Sequence, residues 1–253
     1  MILEQFSLQG KVALVTGSSR GLGAGIALAL AQAGAHVALH GSRAVPQSTV
    51  AAIAATGARH IELNGDVSKA VVCSMLVEQV VEHFGTIDIL VNNAGIIRRS
   101  PAVEHSDEEW QAVIETNLTS VFRLTKAAGR HMLARGSGKI INIASLLTFQ
   151  GGVTVPSYAA AKGGVGQLTK SFANEWASKG VNVNAIAPGY METDNTQALR
   201  ANPGRSRQIL ERIPAGRWGC ADDLAGAAVY LASHASDYVH GHVLAVDGGW
   251  LSR

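Results

Sequence analysis

Cysteine, charge and long apolar runs are all scarce in this sequence, and each scarcity excludes a class of protein. Only Cys73 and Cys220 occur among 253 residues, without a C-x-x-C pair, so no disulfide framework is expected and both thiols are predicted to be free in a reducing cytoplasm. The sequence leaves the roles of these thiols open. The nine histidines form no cluster with cysteine at zinc-site spacing, so no metal site is predicted.

Charged residues make up only 16% of the chain, and the net charge is 21 − 19 = +2, too small to indicate nucleic-acid binding. The most apolar stretch, residues 26–39, is interrupted by Gln32, Gly34 and His36 and falls short of the roughly 20 apolar residues of a membrane span. Residues 1–8 lack the basic and apolar regions of a secretion signal. We therefore expect no nucleic-acid partner, no membrane attachment and a cytoplasmic location.

Apolar residues and glycine, in contrast, are abundant. Hydrophobic residues account for 47% of the chain, and 28 glycines indicate a compact protein with many close backbone approaches. A chain of this length is typical of one α/β domain, which we expect to span residues 1–253.

Short apolar runs alternate with segments of helical period along the whole chain. Runs rich in Val, Ile and Leu between helices predict a Rossmann-type, doubly wound parallel sheet with helices on both faces, hence an α/β fold. The predicted strands are 12–16, 36–40, 60–63, 87–92, 139–144, 181–186 and 243–246, and the clearest helices are 22–33, 47–55 and 69–84.

Capping residues and breaks refine this pattern. Ser106 with Glu109 predicts a helix that begins at Asp107, and Ser68 is predicted to cap the helix after it. Residues 190–219 contain two prolines and five arginines and carry the weakest periodicity, so they are predicted to form a loose lid over the site.

A glycine-rich turn, Gly17, Gly21 and Gly23, lies between the first strand and its helix. At this position the backbone can approach a pyrophosphate while the helix N-terminus faces that charge. The G-x-x-x-G-x-G spacing, with no Gly-Lys-Ser/Thr after it, disfavours a phosphate-hydrolysing loop. The acidic residue expected near position 41 is missing, so Ser42 and Arg43 could accept the 2′-phosphate of NADP, or the backbone could accommodate NAD.

Tyr158 and Lys162 are four residues apart, which places both side chains on one face of a helix. Lowering a tyrosine pKa from about 10 to about 7 needs roughly 4 kcal/mol, and one cation about 4 Å away at an effective dielectric of about 20 supplies that amount. Lys162 is therefore predicted to lower the pKa of Tyr158 and make it an acid/base. Ser145, at a strand end, is expected to hydrogen-bond a substrate oxygen.

Taken in order, these motifs resemble those of the short-chain dehydrogenase/reductase family over residues 8–250. Residues 92–99, 140–150, 184–196, 212–219 and 246–250 resemble a branch of bacterial dehydrogenases that act on sugar acids such as 2-deoxy-D-gluconate and 2-dehydro-3-deoxy-D-gluconate. The resemblance implies a catalytic tetrad and a cofactor site. The tetrad is Asn117, Ser145, Tyr158 and Lys162, and the cofactor residues are Gly17, Ser19, Arg20, Gly21, Leu22, Gly23, Ser42, Arg43, Asp66, Val67, Asn93, Ala94, Gly95, Tyr158, Lys162, Pro188, Gly189 and Thr193.

The same resemblance favours NAD(H), with NADP(H) left open, and implies a homotetramer. A water that connects Lys162 to solvent is expected on Asn117, whose alternative role is a hydrogen bond to nearby backbone. Asp66 is expected at the adenine or, alternatively, only at a helix start. Expected substrate contacts are Arg98 or its neighbour Arg99, Ser145, Gln150, Tyr158 and Tyr190. The alternatives are a reductase of a 3-oxoacyl thioester or a polyol, and a cofactor-binding regulator without turnover.

Overall fold

The computed structural model describes residues 1–253 and contains one seven-stranded parallel sheet in the order β3-β2-β1-β4-β5-β6-β7. Every strand pair is parallel, as buried Val- and Ile-rich runs predict. The strands are β1 Val12–Val15, β2 His36–Gly41, β3 His60–Asn64, β4 Ile89–Asn92, β5 Gly138–Ile143, β6 Val181–Pro188 and β7 Val243–Val246.

Nine α-helices connect or flank these strands. They are α1 Gly21–Gln32, α2 Gln47–Ala54, α3 Ala70–Phe84, α4 Asp107–Ile114, α5 Ser120–Arg135, α6 Pro156–Trp176, α7 Gln197–Ala201, α8 Pro203–Arg212 and α9 Asp222–Ala232. A π-helical segment, Glu115–Thr119, joins α4 to α5. No helix is both long enough and apolar enough to cross a bilayer.

The two faces of the sheet are buried in two separate cores. One core packs Ile26 and Leu30 of α1 with Leu224 of α9, and the other packs Leu76 of α3 with Leu124 of α5. The doubly wound α/β prediction is thus confirmed. The strand order reverses between β1 and β4, and in open parallel sheets ligands bind at the carboxyl ends on either side of such a reversal.

Of the two predicted helix caps, the one by Ser106 was confirmed and the one by Ser68 was not. Ser106 caps α4, since its hydroxyl accepts a hydrogen bond from the Glu109 N–H at 3.3 Å. The predicted cap by Ser68 is wrong. Lys69 is the residue before α3 and caps nothing with its side chain, while the Ser68 N–H donates to Asp66 Oδ1 at 3.0 Å.

The prediction that residues 190–219 are loose is also wrong, because α7 and α8 lie within them. Asn202 caps α8 by accepting a hydrogen bond from the Arg205 N–H at 3.0 Å, and Pro203 occupies the first position, where its missing N–H costs nothing. The ends of the segment are joined by a parallel bridge between Met191 and Gly219. This segment is therefore a structured excursion from the end of β6.

Candidate active site

A cleft of about 1530 Å³ lies at the carboxyl ends of the strands. Its walls are the residues that follow β1, β2, β3, β4, β5 and β6, together with part of the 190–219 segment. The reversal between β1 and β4 thus lies at the base of this cleft, where the sequence predicts a dinucleotide.

The glycine turn is closely packed, and this packing explains its composition. Gly17 has φ +65°, a region that favours glycine, and a Cβ on it would lie 2.9 Å from the Cα of Ala94. A Cβ on Gly23 would lie 2.3 Å from the Gly17 carbonyl oxygen. The Asn93 side-chain amide fixes the turn by donating to the carbonyls of Thr16 at 2.9 Å and Gly17 at 3.0 Å.

The first turn of α1 supplies backbone donors to the cleft. Gly21, Leu22 and Gly23 line the cleft, and the preceding residue, Arg20, places no side-chain cap on this turn. The N–H groups at the start of a helix have no carbonyl partner of their own and favour an anion. The residues present therefore fit the pyrophosphate of a dinucleotide.

His40, at the end of β2, is a site residue that sequence reasoning missed. Its buried ring accepts a hydrogen bond from the Gly17 N–H at Nδ1 (3.1 Å) and donates from Nε2 to the Gly65 carbonyl (3.0 Å). Burial lowers the pKa of His40, and the bond to Gly65 only partly opposes this, so the ring is neutral. The available signal was a polar residue inside a predicted buried strand, beside the missing acid.

The other predicted cofactor residues mostly reach the cleft. Ser42 lines it, whereas Arg43 is exposed and lies outside the lining residues. Arg20 forms an exposed ion pair with Asp194 at 2.7 Å, which joins the glycine turn to the 190–219 segment. The remaining cleft-lining residues of this group are Ser19, Asp66, Val67, Asn93, Ala94, Gly95, Pro188, Gly189 and Thr193.

Ser145, Tyr158 and Lys162 lie together in the cleft. Ser145 lies two residues after the end of β5, and its hydroxyl accepts a hydrogen bond from the Leu147 N–H at 3.2 Å. Tyr158 is in the first turn of α6. Lys162 is 4% exposed, its ammonium donates to the Ile143 carbonyl at 2.5 Å, and it lies 5.7 Å from the centre of the Tyr158 ring.

These positions correct the electrostatic prediction for the pair. Burial raises the pKa of Tyr158, against a hydrogen bond with Ser145 and the charge of Arg99, which both act to lower it. Burial also lowers the pKa of Lys162 to about 8. Helical spacing gave the correct face, but the lysine nitrogen is directed to a strand carbonyl and its charge is itself desolvated, so Lys162 alone does not produce a tyrosinate.

Asn117 is completely buried in the π-helical segment and lies behind the cleft wall, not in it. Its side-chain oxygen accepts from the Ile96 N–H and its amide nitrogen donates to the Ile96 carbonyl, both at 2.8 Å. The side chain thus takes the place of a strand partner for the chain that leaves β4.

At the opposite end of the cleft, the structure corrects the choice of arginine. Arg98 is exposed, does not line the cleft and donates only to the neighbouring Ile97 carbonyl at 3.3 Å. Arg99 lines the cleft instead, and its Nη2 donates to the Asn195 carbonyl at 3.4 Å. Gln150 and Tyr190 also line it.

Tyr190 and Gln150 belong to an aromatic wall. The Tyr190 ring packs against Trp250 with 4.6 Å between centroids and against Trp218 at 5.7 Å. The Trp250 indole donates to Gln150 Oε1 at 3.3 Å. This wall gives the cleft an apolar side with a few polar groups, a composition typical of small-molecule sites.

Arg200, on α7, is a second residue that the sequence did not single out. It lines the cleft, its Nε is buried without a hydrogen-bond partner, and its one bond is a long contact of 3.4 Å from Nη2 to the Thr193 carbonyl. The sequence signal was weak, because the 190–219 segment holds five arginines and no predicted helix ordered them.

Comparison with known proteins gives a consistent family. A family model described as enoyl-(acyl carrier protein) reductase matches residues 17–251. The chain is 55% identical to a 2-dehydro-3-deoxy-D-gluconate 5-dehydrogenase of Escherichia coli over 255 residues, with 100% of both chains covered. It is also 55% identical to a Bacillus subtilis protein of the same name over 250 residues, covering 99% of this chain and 98% of that one.

Solved structures agree with these relatives. One, described as a 2-deoxy-D-gluconate 3-dehydrogenase of Agrobacterium tumefaciens with bound NADP, has a TM-score of 0.92 and 54% identity, covering 98% of this chain and 99% of that one. A gluconate 5-dehydrogenase of Burkholderia cenocepacia with NADP and tartrate has a TM-score of 0.94 and 41% identity, with 100% of both chains covered. The chain belongs to the short-chain dehydrogenase/reductase family and is an NAD(P)-dependent oxidoreductase that acts on CH–OH groups.

Proposed function

We propose that the protein transfers a hydride between a nicotinamide and a secondary alcohol or ketone of a sugar acid of the 2-dehydro-3-deoxy-D-gluconate or 2-deoxy-D-gluconate type. One observation carries this proposal. Four of the arginines that line the cleft, Arg99, Arg200, Arg205 and Arg212, have no carboxylate partner, and Arg99 and Arg200 are the two on which the proposal rests. The arginine ion pairs of the protein instead involve Arg20, Arg123, Arg135 and Arg217.

An unpaired guanidinium in a cleft favours an anionic ligand. The charge of Arg99 acts to lower the pKa of Tyr158 against the larger effect of burial, and both residues line the same cleft. A planar guanidinium binds a carboxylate through two parallel hydrogen bonds. The Nε of Arg200 is buried and unsatisfied, a condition that costs about 1–3 kcal/mol and that a substrate carboxylate would relieve.

The names of the relatives point to the same substrate class. The two proteins at 55% identity are named for 2-dehydro-3-deoxy-D-gluconate, and others at 41–42% identity for gluconate or 5-keto-D-gluconate. All of these substrates combine a carboxylate with a chain of hydroxyl groups. Such a molecule suits a cleft with arginines at one end and a Ser–Tyr–Lys group at its base.

The chain's own residues then perform the proton transfer. The bound nicotinamide supplies C4 as the hydride acceptor in oxidation and the hydride donor in reduction. Tyr158 removes the hydroxyl proton on oxidation and returns it on reduction. Ser145 donates a hydrogen bond to the substrate oxygen, where negative charge develops. Lys162, held by the Ile143 carbonyl, keeps a positive charge beneath the tyrosine ring.

The role of Asn117 as the anchor of a water stays a prediction. Its amide already bonds both backbone groups of Ile96. In this proposal Asn117 mainly holds the chain after β4 in place and, through it, the Arg99 loop.

For the cofactor we replace the expected preference for NAD(H) by NADP(H). No carboxylate follows β2, where NAD-binding folds hold the ribose; Ser42 and Arg20 line the cleft there with a hydroxyl and a guanidinium group, and Arg43 is exposed next to Ser42. Three similar solved structures are described with NADP bound. Competition between a 2′-phosphate and Asp194 for Arg20 would couple cofactor binding to the 190–219 segment.

Separate titrations of NADPH and NADH, followed by nicotinamide fluorescence, test this choice. We expect NADPH to bind about tenfold or more tightly, since each charged hydrogen bond to the phosphate contributes about 1.5–3 kcal/mol. Arg20→Ala and Arg43→Ala should reduce this preference and leave NADH affinity unchanged. Equal or tighter binding of NADH would restore the NAD(H) assignment.

A substrate panel tests the activity itself. Absorbance assays would compare 2-dehydro-3-deoxy-D-gluconate, 2-deoxy-D-gluconate, gluconate, a neutral polyol and a 3-oxoacyl thioester. We expect turnover of the acids, and Arg99→Met or Arg200→Met should raise KM for the acid about tenfold or more by removing a charged hydrogen bond. Arg98→Met is the matched control, because Arg98 lies outside the cleft. Strong turnover of the thioester with none of the acids would contradict the proposal.

The remaining expectations extend this proposal. The 190–219 segment serves as the lid, with Arg200 drawing it towards a bound carboxylate. The expected homotetramer would use α5 and α6, where Phe122 is 41% exposed and stacks on Phe172 with 6.1 Å between centroids. Light scattering that gives the molar mass of a monomer would contradict this assembly. Colocation of Ser145, Tyr158 and Lys162 in one cleft argues against a regulator without turnover.

A further inference from the structure

A buried histidine outside the cleft, His105, connects the two segments that carry the proposed substrate and acid/base groups. Its side chain is 3% exposed. Nδ1 lies 2.7 Å from the Ser100 hydroxyl and 3.3 Å from Glu109 Oε2, and Nε2 lies 2.9 Å from the Ser157 hydroxyl. Ser100 also donates to Glu109 Oε2 at 3.0 Å.

These contacts form a continuous chain in which every hydrogen bond has a donor and an acceptor. With the ring proton on Nδ1, Ser157 donates to Nε2, Nδ1–H donates to Ser100, and Ser100 donates to the Glu109 carboxylate. Such a satisfied, buried network strongly fixes the groups it joins, because breaking any one bond leaves a polar group without a partner.

The network joins two specific places. Ser100 follows Arg99 directly in the loop after β4, and Ser157 precedes Tyr158 directly in the first turn of α6. A backbone bond from the Ser100 N–H to the Thr154 carbonyl, at 3.1 Å, runs beside it.

The backbone of Thr154 is conformationally constrained at this contact. Its φ of +62° is the only positive φ of a non-glycine residue in the chain. A β-branched residue in this region stores strain, which persists only where surrounding contacts impose it. The two bonds that cross from the Ser100 side, to Thr154 and through His105 to Ser157, supply such contacts.

We propose that His105 is a positioning residue that holds Arg99 and Tyr158 at a fixed separation, and so sets where the substrate carboxylate lies relative to the acid/base. This inference rests on the proposed function, since it assumes that Arg99 binds the carboxylate. The imidazole acts through its two neighbours and touches neither substrate nor cofactor. The length of the substrate that fits between the two groups is thereby set by a residue outside the cleft.

Three substitutions distinguish the contact made by Nε2 from the contact made by Nδ1. His105→Leu removes both contacts. His105→Gln places an amide near the position of Nε2 and keeps the bond to Ser157, whereas His105→Asn places one near Nδ1 and keeps the bond to Ser100. We expect His105→Leu to lower kcat about tenfold and raise KM for the sugar acid, because small misplacements of reacting groups reduce rates by up to about a hundredfold.

The split between kcat and KM is the diagnostic measurement. His105→Gln should recover kcat more than KM, since it restores the Tyr158 side, and His105→Asn should recover KM more than kcat. Affinity for NADPH should stay within about twofold of the wild type in all three, because no side-chain contact of His105 reaches the glycine turn or the end of β2. Ser157→Ala combined with His105→Leu should be no worse than His105→Leu alone, since both remove the same bond.

His131→Leu is the matched control. His131 also pairs with a glutamate, Glu78, at 3.1 Å, but between α5 and α3 and away from the cleft. This variant should have wild-type kinetics. If His105→Leu does not fold, Ser157→Ala carries the test, with a lowered kcat expected.

Two results would overturn the inference. One is a folded His105→Leu variant with kcat and KM within twofold of the wild type. The other is a fall in thermal stability with equal effects on sugar-acid and polyol turnover, which indicates a purely structural role. If the wild type turns over no sugar acid at all, the proposed function fails instead, so the two failures are distinguishable.

Discussion

The cofactor end and the substrate end of the cleft are built by different means. At the cofactor end, backbone groups and glycines form the surface, and Asn93 and His40 hold that backbone in place through four hydrogen bonds to main-chain atoms. At the substrate end, long side chains from the chain after β4 and from α7 form the surface. At the cofactor end, one added methyl group should therefore weaken cofactor binding. At the substrate end, substitutions should be tolerated by the fold but should change which ligand binds.

The hydrophobic clusters that support the two ends of the cleft show the same contrast. The glycine turn lies at the carboxyl edge of the sheet, against the residues that follow β4, and Leu22 beside it packs on the largest core. The substrate end rests on a small separate cluster formed by Leu146, Ile209, Ile213, Trp218 and Trp250. A site with its own small core can be reshaped without disturbing the sheet that supports the cofactor.

The largest expected effect lies where the two ends meet. Tyr158→Phe should lower kcat by at least about a hundredfold, because it removes the group that exchanges the substrate proton. Both ends of the cleft stay intact, so NADPH affinity and KM should change little. Steady-state kinetics and a fluorescence titration measure this, and near-wild-type kcat would refute the proposed proton transfer.

A methyl group at Gly23 tests the rigidity of the cofactor end. In Gly23→Ala the new Cβ would meet the Gly17 carbonyl oxygen at 2.3 Å and Asn93 Nδ2 at 2.4 Å. Overpacking of this kind costs about 1–3 kcal/mol, so NADPH affinity should fall about 5- to 100-fold.

Gly226→Ala, in α9, is the control for this substitution. A Cβ there meets nothing within 4 Å, and the exchange should stabilise the helix by up to about 1 kcal/mol without changing NADPH affinity. Unchanged NADPH binding by Gly23→Ala would remove the contrast between the two ends.

Lys162 gives a stability effect that depends on pH. Its pKa falls from 10.5 to about 8 on folding because of burial, so between these values the unfolded chain binds a proton that the folded chain does not. Stability therefore decreases as pH falls from 10.5 to about 8 and stays constant below. Lys162→Met should abolish activity and yet raise the free energy of unfolding at pH 7 by about 1–3 kcal/mol, after allowance for the lost bond to Ile143.

Denaturant unfolding at pH 7 and above pH 10 measures the difference in the free energy of unfolding between Lys162→Met and the wild type. This difference should shrink at the higher pH. Lys170→Met, an exposed position on the same helix, is the control and should show no such trend. A variant less stable than the wild type at every pH would mean that the hydrogen bond to Ile143 outweighs the desolvation of the ammonium.

The smallest effect is expected at the outer end of the 190–219 segment. Arg217 forms two bonds to Asp223, at 2.6 and 2.7 Å, and holds the pKa of that carboxyl well below its usual range. The Arg217 side chain is 61% exposed, and such surface pairs contribute little. Arg217→Met should change KM for a sugar acid by less than about twofold at neutral pH, whereas a tenfold change would show that the substrate end also depends on rigid anchoring.

The sequence was informative where one residue type has one structural use. The glycine turn, the Ser106 cap and the alternating apolar runs each favour a single local structure. The strand β7 was predicted with its observed bounds. The placement of Tyr158 and Lys162 together in the cleft followed from the same local rules, since helical spacing fixes a face.

The rest depends on contacts between distant segments. Spacing could not reveal that the Lys162 nitrogen bonds Ile143 on a neighbouring strand, so the sign of the pKa change of Tyr158 was wrong. The choice between Arg98 and Arg99 depends on the path of one loop. The Asn202–Pro203 pair, in contrast, is an ordinary helix start that was present in the sequence and overlooked.

The bridge between Met191 and Gly219 has a consequence for how this protein changes over evolution. It joins the two ends of the excursion, where the Glu192 N–H donates to the Gly219 carbonyl at 2.7 Å and the Gly219 N–H to the Tyr190 carbonyl at 2.9 Å. An insertion, deletion or recombination between these two points leaves the anchoring positions and the sheet unchanged. Changes within residues 195–218 can therefore alter the range of substrates, while Thr193, the Arg20–Asp194 pair and the sheet stay in place.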